Sequence, residues 1–423
     1  MTYQEALTYI HSISWRGSKP GLERISGMME QLGNVQEDLK FIHIAGTNGK
    51  GSVSAMLSSV LTAAGYRTGL FISPYIMRFN ERMQVNGMPI SDEELAEIIA
   101  EVQPVAESMA ERPTEFEIIT AAAFLWFARQ KCDIVVLETG LGGRLDATNL
   151  ISKNVCAVIT NLGMDHTEYL GNTLGEIAGE KCGILKPGCP VVAYRSAPEA
   201  MKVIRARAKE LECPVRTADF GKIKALSADL QGQTFQYKQF PELTVHLLGA
   251  HQLKNAAVAL ETISVLRKAG WEIPDEAVVQ GMDATRWPGR FEVLQDNPLV
   301  IVDGAHNPQG VESLIAAVKE YLPGQHIVCV TGVLADKDWK PMMDRLKTVV
   351  SDFVAVTPDS PRALGNVRLA RYLTDREHWV SVADDVEKGL TGALERAKAT
   401  GGMVLACGSL YMAADVRRFF GRN

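Results

Sequence analysis

No stretch of this chain is apolar for long enough to cross a bilayer: the longest such run, Ala121–Ala128, is under half of the roughly 20 residues a membrane helix needs. No basic segment followed by an apolar core opens the sequence. Its first residues pattern as an amphipathic helix carrying Glu5 and His11, which argues against a secretory leader. An excess of positive charge is also missing. With 44 Lys and Arg against 50 Asp and Glu the net charge is −6, so nothing in the total favours a nucleic acid, although a local basic pocket for phosphates stays open. Cysteine is sparse and unpatterned: there are 7, an odd number, with no C-x-x-C pair. Cys132, Cys156, Cys329 and Cys407 lie inside apolar runs and read as buried thiols rather than disulfides or metal ligands. The chain therefore suits a reducing compartment, and a cytoplasmic location is expected. No repeat or low-complexity segment occurs.

What is present is a globular composition, 46% hydrophobic and 22% charged, over 423 residues, long enough for two or three domains. Short β-branched runs alternate with longer amphipathic stretches, the pattern of βαβ units and a parallel sheet. Strands are expected at Phe41–Gly46, Thr68–Ser73, Cys132–Gly140, Asn154–Asn161 and Cys189–Arg195, with helices at Ser52–Ala64, Asp92–Ala110, Glu117–Lys131 and Thr173–Ile184. Residues 214–248 alternate polar and apolar side chains and suggest antiparallel strands, followed by a helix at His251–Ala269. A fresh βα series runs through Leu299–Asp303, His326–Thr331, Phe353–Pro358, Trp379–Ala383 and Met403–Cys407. The expected fold is α/β: a P-loop-type, mostly parallel-sheet ATPase domain over 1–295, then a smaller Rossmann-like domain over 296–423.

The strand at Phe41 runs into Gly46-Thr-Asn-Gly-Lys-Gly-Ser52 and then a helix. Glycines let successive N–H groups turn inward around an anion, and the helix N-terminus adds partial positive charge. Lys50 would reach terminal phosphates and Ser52 could hold Mg²⁺. The strict Walker A spacing is not met, because Gly51 separates Lys50 from the hydroxyl residue. Alone, the loop says only that a nucleotide binds; a plain Gly/Asn turn is the competing reading. Glu138 follows the apolar run Cys132-Asp-Ile-Val-Val-Leu, at the carboxyl edge where open α/β sheets bind ligands. It reads as a metal ligand, or else as a cap.

The loop string resembles that of Mur-type ligases, especially the folylpolyglutamate synthase/dihydrofolate synthase family. Further segments match that family in the same order. They are Ser73-Pro-Tyr-Ile-Met-Arg-Phe-Asn-Glu-Arg-Met-Gln-Val-Asn-Gly87, Glu138-Thr-Gly-Leu-Gly-Gly-Arg-Leu-Asp-Ala-Thr-Asn149, Thr160-Asn-Leu-Gly-Met-Asp-His166 and Glu180-Lys-Cys-Gly-Ile184, then His251-Gln-Leu-Lys-Asn255, Trp287-Pro-Gly-Arg-Phe-Glu292 and Asp303-Gly-Ala-His-Asn-Pro308. The resemblance implies an ATP-dependent ligase that adds L-glutamate to a tetrahydrofolate, to dihydropteroate, or to both. It implies a P-loop of Gly46, Thr47, Asn48, Gly49, Lys50, Gly51 and Ser52, with Asn255, Arg290 and Asp303 also on ATP. It places Ser52, Ser73, Glu138, His166 and a carbamylated Lys181 around two Mg²⁺ ions, with a monovalent cation such as K⁺ as a further candidate. Lys50, Lys181 and His306 take catalytic roles; Phe79, Arg82, Ser360, Arg362 and Ser409 hold folate or glutamate. Residue type alone also allows bland roles: a solvated Lys181, Gln252 and Asn255 as helix caps, and Ser360, Arg362 and Ser409 in ordinary turns. The segment from Arg16 to Arg24 could help shape a pterin pocket. No membrane and no nucleic acid partner is expected, and a monomer is.

Two other classes compete. A cell-wall Mur ligase shares the loop and lysine logic, but the P-loop begins by residue 46, leaving no room for a uridine-nucleotide domain before it. A regulatory ATPase would turn over nucleotide without needing a pteroate compound and glutamate.

Overall fold

Buried strands flanked by amphipathic helices make two α/β units in the computed structural model, which describes residues 1–13 and 20–422. The first unit comprises Met1–Lys224, Gln236–Leu243 and Lys254–Thr285; the second comprises Ala225–Phe235, Thr244–Leu253 and Arg286–Asn423. This differs from the expected division at 295/296. Glu292–Asp296 is a strand that pairs antiparallel with Leu299–Asp303, so the chain has already joined the second unit by Arg286.

The first unit is built on strands β1 (Phe41–Ala45), β2 (Thr68–Phe71), β3 (Met83–Val85), β4 (Met88–Pro89), β5 (Ile134–Glu138), β6 (Cys156–Ile159), β7 (Val191–Ala193) and β8 (Val215–Thr217). They lie in the order β4-β3-β2-β5-β1-β6-β7-β8. All pairings among β2, β5, β1, β6, β7 and β8 are parallel, while β3 and β4 add an antiparallel hairpin at one edge. Central strands β1, β5 and β6 are buried along their whole length, as a sheet covered on both faces requires. One covering helix, Glu115–Arg129, is apolar nearly all round and starts at a capping box in which Thr114 and Glu117 satisfy each other's backbone N–H. Such a cap contributes about 1 kcal/mol.

Strands β9 (Ile223–Asp229), β10 (Gly232–Tyr237) and β11 (Phe240–Val245) form a separate three-stranded sheet in the order β11-β10-β9. The expectation of antiparallel strands throughout 214–248 needs one correction. β8 pairs parallel with β7, because its short run follows a full helix, Pro198–Glu210, that returns the chain to the same sheet edge.

The second unit carries β12 (Glu292–Asp296), β13 (Leu299–Asp303), β14 (Ile327–Thr331), β15 (Asp352–Ala355), β16 (Trp379–Val382) and β17 (Met403–Cys407), in the order β12-β13-β17-β14-β15-β16. Alternate residues of its strands feed two cores. Ile301, Cys329, Phe353 and Leu405 pack on one side; Val300, Val328, Val354 and Val404 pack on the other. All seven cysteines are free and buried. Among the described residues no helix is long and apolar enough to cross a membrane.

Candidate active site

Register places the chemistry. β1 lies between β5 and β6, with Ile44 opposite Glu138 and Ala45 opposite Ile159, so the loop after β1 emerges beside the last residue of β5. Thr47 and Asn48 donate their backbone N–H groups to the Asn161 carbonyl at 2.8 and 3.1 Å, which holds the loop against the end of β6. The helix Lys50–Ala63 begins directly after Gly49, whose φ of 86° is left-handed. Two glycines are required by space. A Cβ on Gly46 would stand 1.8 Å from Thr160 Oγ1, and one on Gly49 would stand 2.6 Å from Asn255 Oδ1.

The second contact settles one alternative. Asn255 is buried and lies well inside the helix Ala250–Lys268, so it does not cap that helix; it packs on the phosphate loop. Lys50 Nζ lies 3.8 Å from Glu138 Oε1, while Glu138 Oε2 accepts the Ser73 backbone N–H at 3.3 Å. Arg82 donates to Ser73 Oγ at 3.1 Å and stacks its guanidinium over the rings of Tyr75 and Phe79. Ser52 is buried in the first turn of the loop's helix. Lys181 is not a solvated lysine: it is 4% exposed and donates from Nζ to the Gly46 carbonyl at 2.8 Å. Burial, then the nearby Lys50 charge, lowers its pKa from 10.5 to about 7. His166 has a left-handed φ of 51° and is exposed, with Nε2 3.9 Å from Asp165 Oδ2. Among the described residues no group of three or more His, Cys, Asp or Glu side chains could hold a metal ion. The donors gathered at the loop are instead hydroxyls and one buried carboxylate, a hard-oxygen set of the kind Mg²⁺ takes.

A cavity of about 390 Å³ in the first unit joins residues of the sequence motifs to others, such as Thr114 and Phe116, that the sequence did not single out. It runs from Ser73 and Arg82 to Thr114, Phe116, Gly140–Ala147 and Leu170. The ring of Phe116 closes on Gly140, where a Cβ would meet it at 2.5 Å. Asp146 is buried in the wall: its Oδ2 accepts the Leu141 N–H at 2.7 Å, and its Oδ1 accepts the Thr148 N–H at 3.1 Å and the Thr148 hydroxyl at 2.5 Å. Burial still raises its pKa despite these donors. Asp146 does fall within the Glu138–Asn149 motif, but nothing local marks it as a wall residue. Of the expected pterin-side segment, Arg16–Lys19 lies outside the described residues. Arg24 is buried and donates to Glu117 Oε2 and Glu111 Oε1, each at 3.1 Å.

In the second unit Asp303 accepts the Phe291 and Ala305 N–H groups at 2.8 and 2.7 Å. Its pKa is raised by burial, against the pull of the Arg290 charge. Gly304 has no room for a side chain, since a Cβ would meet Leu410 at 2.3 Å and Arg290 Nη1 at 3.2 Å. His306 Nδ1 lies 2.8 Å from the Gly304 carbonyl, which fixes the proton on that nitrogen. Arg362 is exposed and paired with Asp336 at 2.6 Å; Ser360 Oγ accepts the Arg362 N–H at 3.3 Å. Ser409 is buried and caps the helix Leu410–Phe419 through the Tyr411 N–H.

Comparison with known proteins extends this geometry. The Mur ligase middle domain matches residues 44–263, and the Mur ligase glutamate ligase domain matches residues 289–410. The dihydrofolate synthase/folylpolyglutamate synthase of Bacillus subtilis is 40% identical over 435 residues, covering 98% of each chain. Mycobacterium tuberculosis folylpolyglutamate synthase, solved with ADP and AMPPCP, superposes with a TM-score of 0.90 at 32% identity over 100% of this chain and 99% of that one. Escherichia coli FolC, solved with DHPP and ADP, superposes with a TM-score of 0.86 at 30% identity over 100% of this chain and 98% of that one.

Proposed function

This chain belongs to the folylpolyglutamate synthase/dihydrofolate synthase family of the Mur ligases and is an ATP-dependent glutamate ligase, and from that premise we propose how its residues do the work. A pteroate-bearing acceptor, dihydropteroate or a reduced folate, enters the Phe116–Asp146 cavity. One observation carries this reading: the cavity is lined by Ser73 and Arg82, and Ser73 is bonded to the same Glu138 that faces Lys50 of the glycine loop. An acceptor seated there with its ring toward Asp146 points its carboxylate at the loop.

The reaction then has two displacements. A carboxylate oxygen attacks the γ-phosphorus of ATP, the bond to the β-phosphate oxygen breaks, and ADP leaves. The free amine of L-glutamate attacks the resulting acyl phosphate, the amide forms, and phosphate departs. Lys50 and the N–H groups of the phosphate loop take up charge on the transferring phosphoryl group. Arg82 orients the acceptor carboxylate. Arg290, Asp303 and His306 engage nucleotide, and Ser360, Arg362 and Ser409 the incoming glutamate. Ser52, Ser73, Glu138, His166 and a carbamylated Lys181 would hold two Mg²⁺ ions, which when bound neutralise phosphoryl oxygens. A monovalent cation such as K⁺, a monomeric state and a cytoplasmic location complete the reading.

The test uses an acceptor labelled with ¹⁸O in its carboxylate. One label should appear in the released phosphate, and ADP release should require acceptor and L-glutamate together. Unlabelled phosphate would sink the acyl-phosphate route. Parallel assays with dihydropteroate and tetrahydrofolate decide which acceptors are used.

A further inference from the structure

His43 has no part in the chemistry above, yet it sits fully buried in the middle of β1, an unusual place for an imidazole. Its Nε2 lies 2.9 Å from Thr148 Oγ1, and Thr148 Oγ1 lies 2.5 Å from Asp146 Oδ1. The proton directions follow by elimination. A threonine hydroxyl has one proton, and the ionised carboxylate can only accept, so that proton goes to Asp146. His43 must then donate from Nε2–H, which leaves Nδ1 as a bare acceptor. Nδ1 is indeed the ring nitrogen with no partner. The opposite assignment would need a protonated Asp146 and would strand an N–H donor in the core, which costs about 1–3 kcal/mol. Burial and the positive charge of Lys186 hold His43 neutral, with its pKa lowered from 6.5 to about 3, so the ring is a permanent one-proton donor at working pH.

We propose that His43 and Thr148 are positioning residues for the acceptor. The directed chain from His43 to Thr148 to Asp146, together with the Leu141 N–H on the other carboxylate oxygen, fixes the plane of the Asp146 carboxylate at the cavity wall. Thr148 fills both acceptor positions of Oδ1 and the Leu141 N–H fills one on Oδ2, so the position left on Oδ2 favours a single ring donor, an N–H or an amino group, over a ring acceptor. This rests on the reading that the cavity takes the pteroate ring.

The experiment measures kcat and the KM values for dihydropteroate, ATP and L-glutamate in the full-length enzyme and its variants. Thr148→Val keeps the shape but deletes the relay. It should raise the dihydropteroate KM about tenfold, the worth of one buried hydrogen bond to a charged group, while the ATP and glutamate KM values stay within about twofold. Thr148→Ser should return the parent value. His43→Leu should raise the same KM, and His43→Gln, which offers an amide N–H near the position of Nε2, should lower it again. Should Thr148→Val not fold, the two His43 variants test the same chain from its other end. Asp146→Asn separates the two claims. If it raises the dihydropteroate KM while Thr148→Val and His43→Leu do not, the positioning chain is refuted and the cavity reading stands. If Asp146→Asn changes nothing, the cavity reading falls and the proposal falls with it. A loss spread equally over all three substrates, or one that Thr148→Ser does not reverse, also overturns the proposal.

Discussion

Lys181 shows what a single residue's surroundings add to its identity. Its sequence context suggests a special lysine, but in the proposed Mg²⁺ site an ammonium would be repelled. The fold resolves this by burying the amine against the Gly46 carbonyl, within the field of Lys50. The sign of the pH effect follows. With a pKa of about 7 in place of 10.5, the amine is mostly neutral above pH 7 and protonated below it. CO₂ adds only to the neutral form, so carbamate occupancy and ligase rate should fall together as pH drops through 7. ¹³CO₂ NMR at neutral to mildly alkaline pH should show a carbamate signal that Lys181→Ala abolishes. That variant should still bind ATP, lose about 10²–10³-fold in turnover, and recover partly with small carboxylates. A magnesium–nucleotide complex in which Lys181 stays a plain ammonium at pH 8 would count against the claim. At this scale the sequence singled the residue out for a test, while its burial and its partner came only from the fold.

Elements show the reverse balance, because their signals are local. Strand β1, the glycine loop and the helix Lys50–Ala63 are legible from a β-branched run, three glycines and a helical period. Asn86-Gly87 is equally local: both residues are left-handed, as a two-residue hairpin turn between β3 and β4 demands. What no local pattern reveals is why Gly46 in particular must be glycine. Its φ is not left-handed; the constraint is Thr160, in the loop after β6, whose Oγ1 occupies the space of a Cβ. Gly46→Ala should therefore destabilise the enzyme by about 1–3 kcal/mol, as overpacking does, and raise the KM for ATP. The pair Gly46→Ala with Thr160→Ala should regain part of both. Urea unfolding and ATP kinetics check this, and an unchanged unfolding midpoint in the single variant would show that the loop yields freely.

At the scale of the whole molecule, the proposed function gives nucleotide and glutamate contacts to the second unit, and that assignment can be tested at one side chain. Arg290 stands beside Asp303 and against Gly304. Arg290→Ala should cost about 10²-fold in kcat/KM for ATP, and Arg290→Lys should recover only part, because an ammonium lacks the two-pronged geometry of a guanidinium. Thermal unfolding should show that the fold survives; ATP kinetics equal to the parent's would remove Arg290 from the nucleotide site. The limits of the two units follow the same logic. Strand β12 is too polar to announce itself, and only its pairing with β13 draws the chain from Arg286 onward into the second unit. By itself the sequence determined most of the strands and helices, the glycine-rich turn from strand to helix at Gly46–Ser52 and the family, since each rests on neighbours in the chain or on an ordered string of motifs. The tertiary structure alone decided that Asn255 lies on the loop, that Ser409 is a helix cap, and that Phe116 and Asp146 face one cavity. It also joined His43 to Thr148 across 105 residues. The reason is physical: secondary structure answers to side chains a few positions away, whereas a cavity wall and a directed hydrogen-bond chain exist only once sheet register has brought distant segments within about 3 Å of each other.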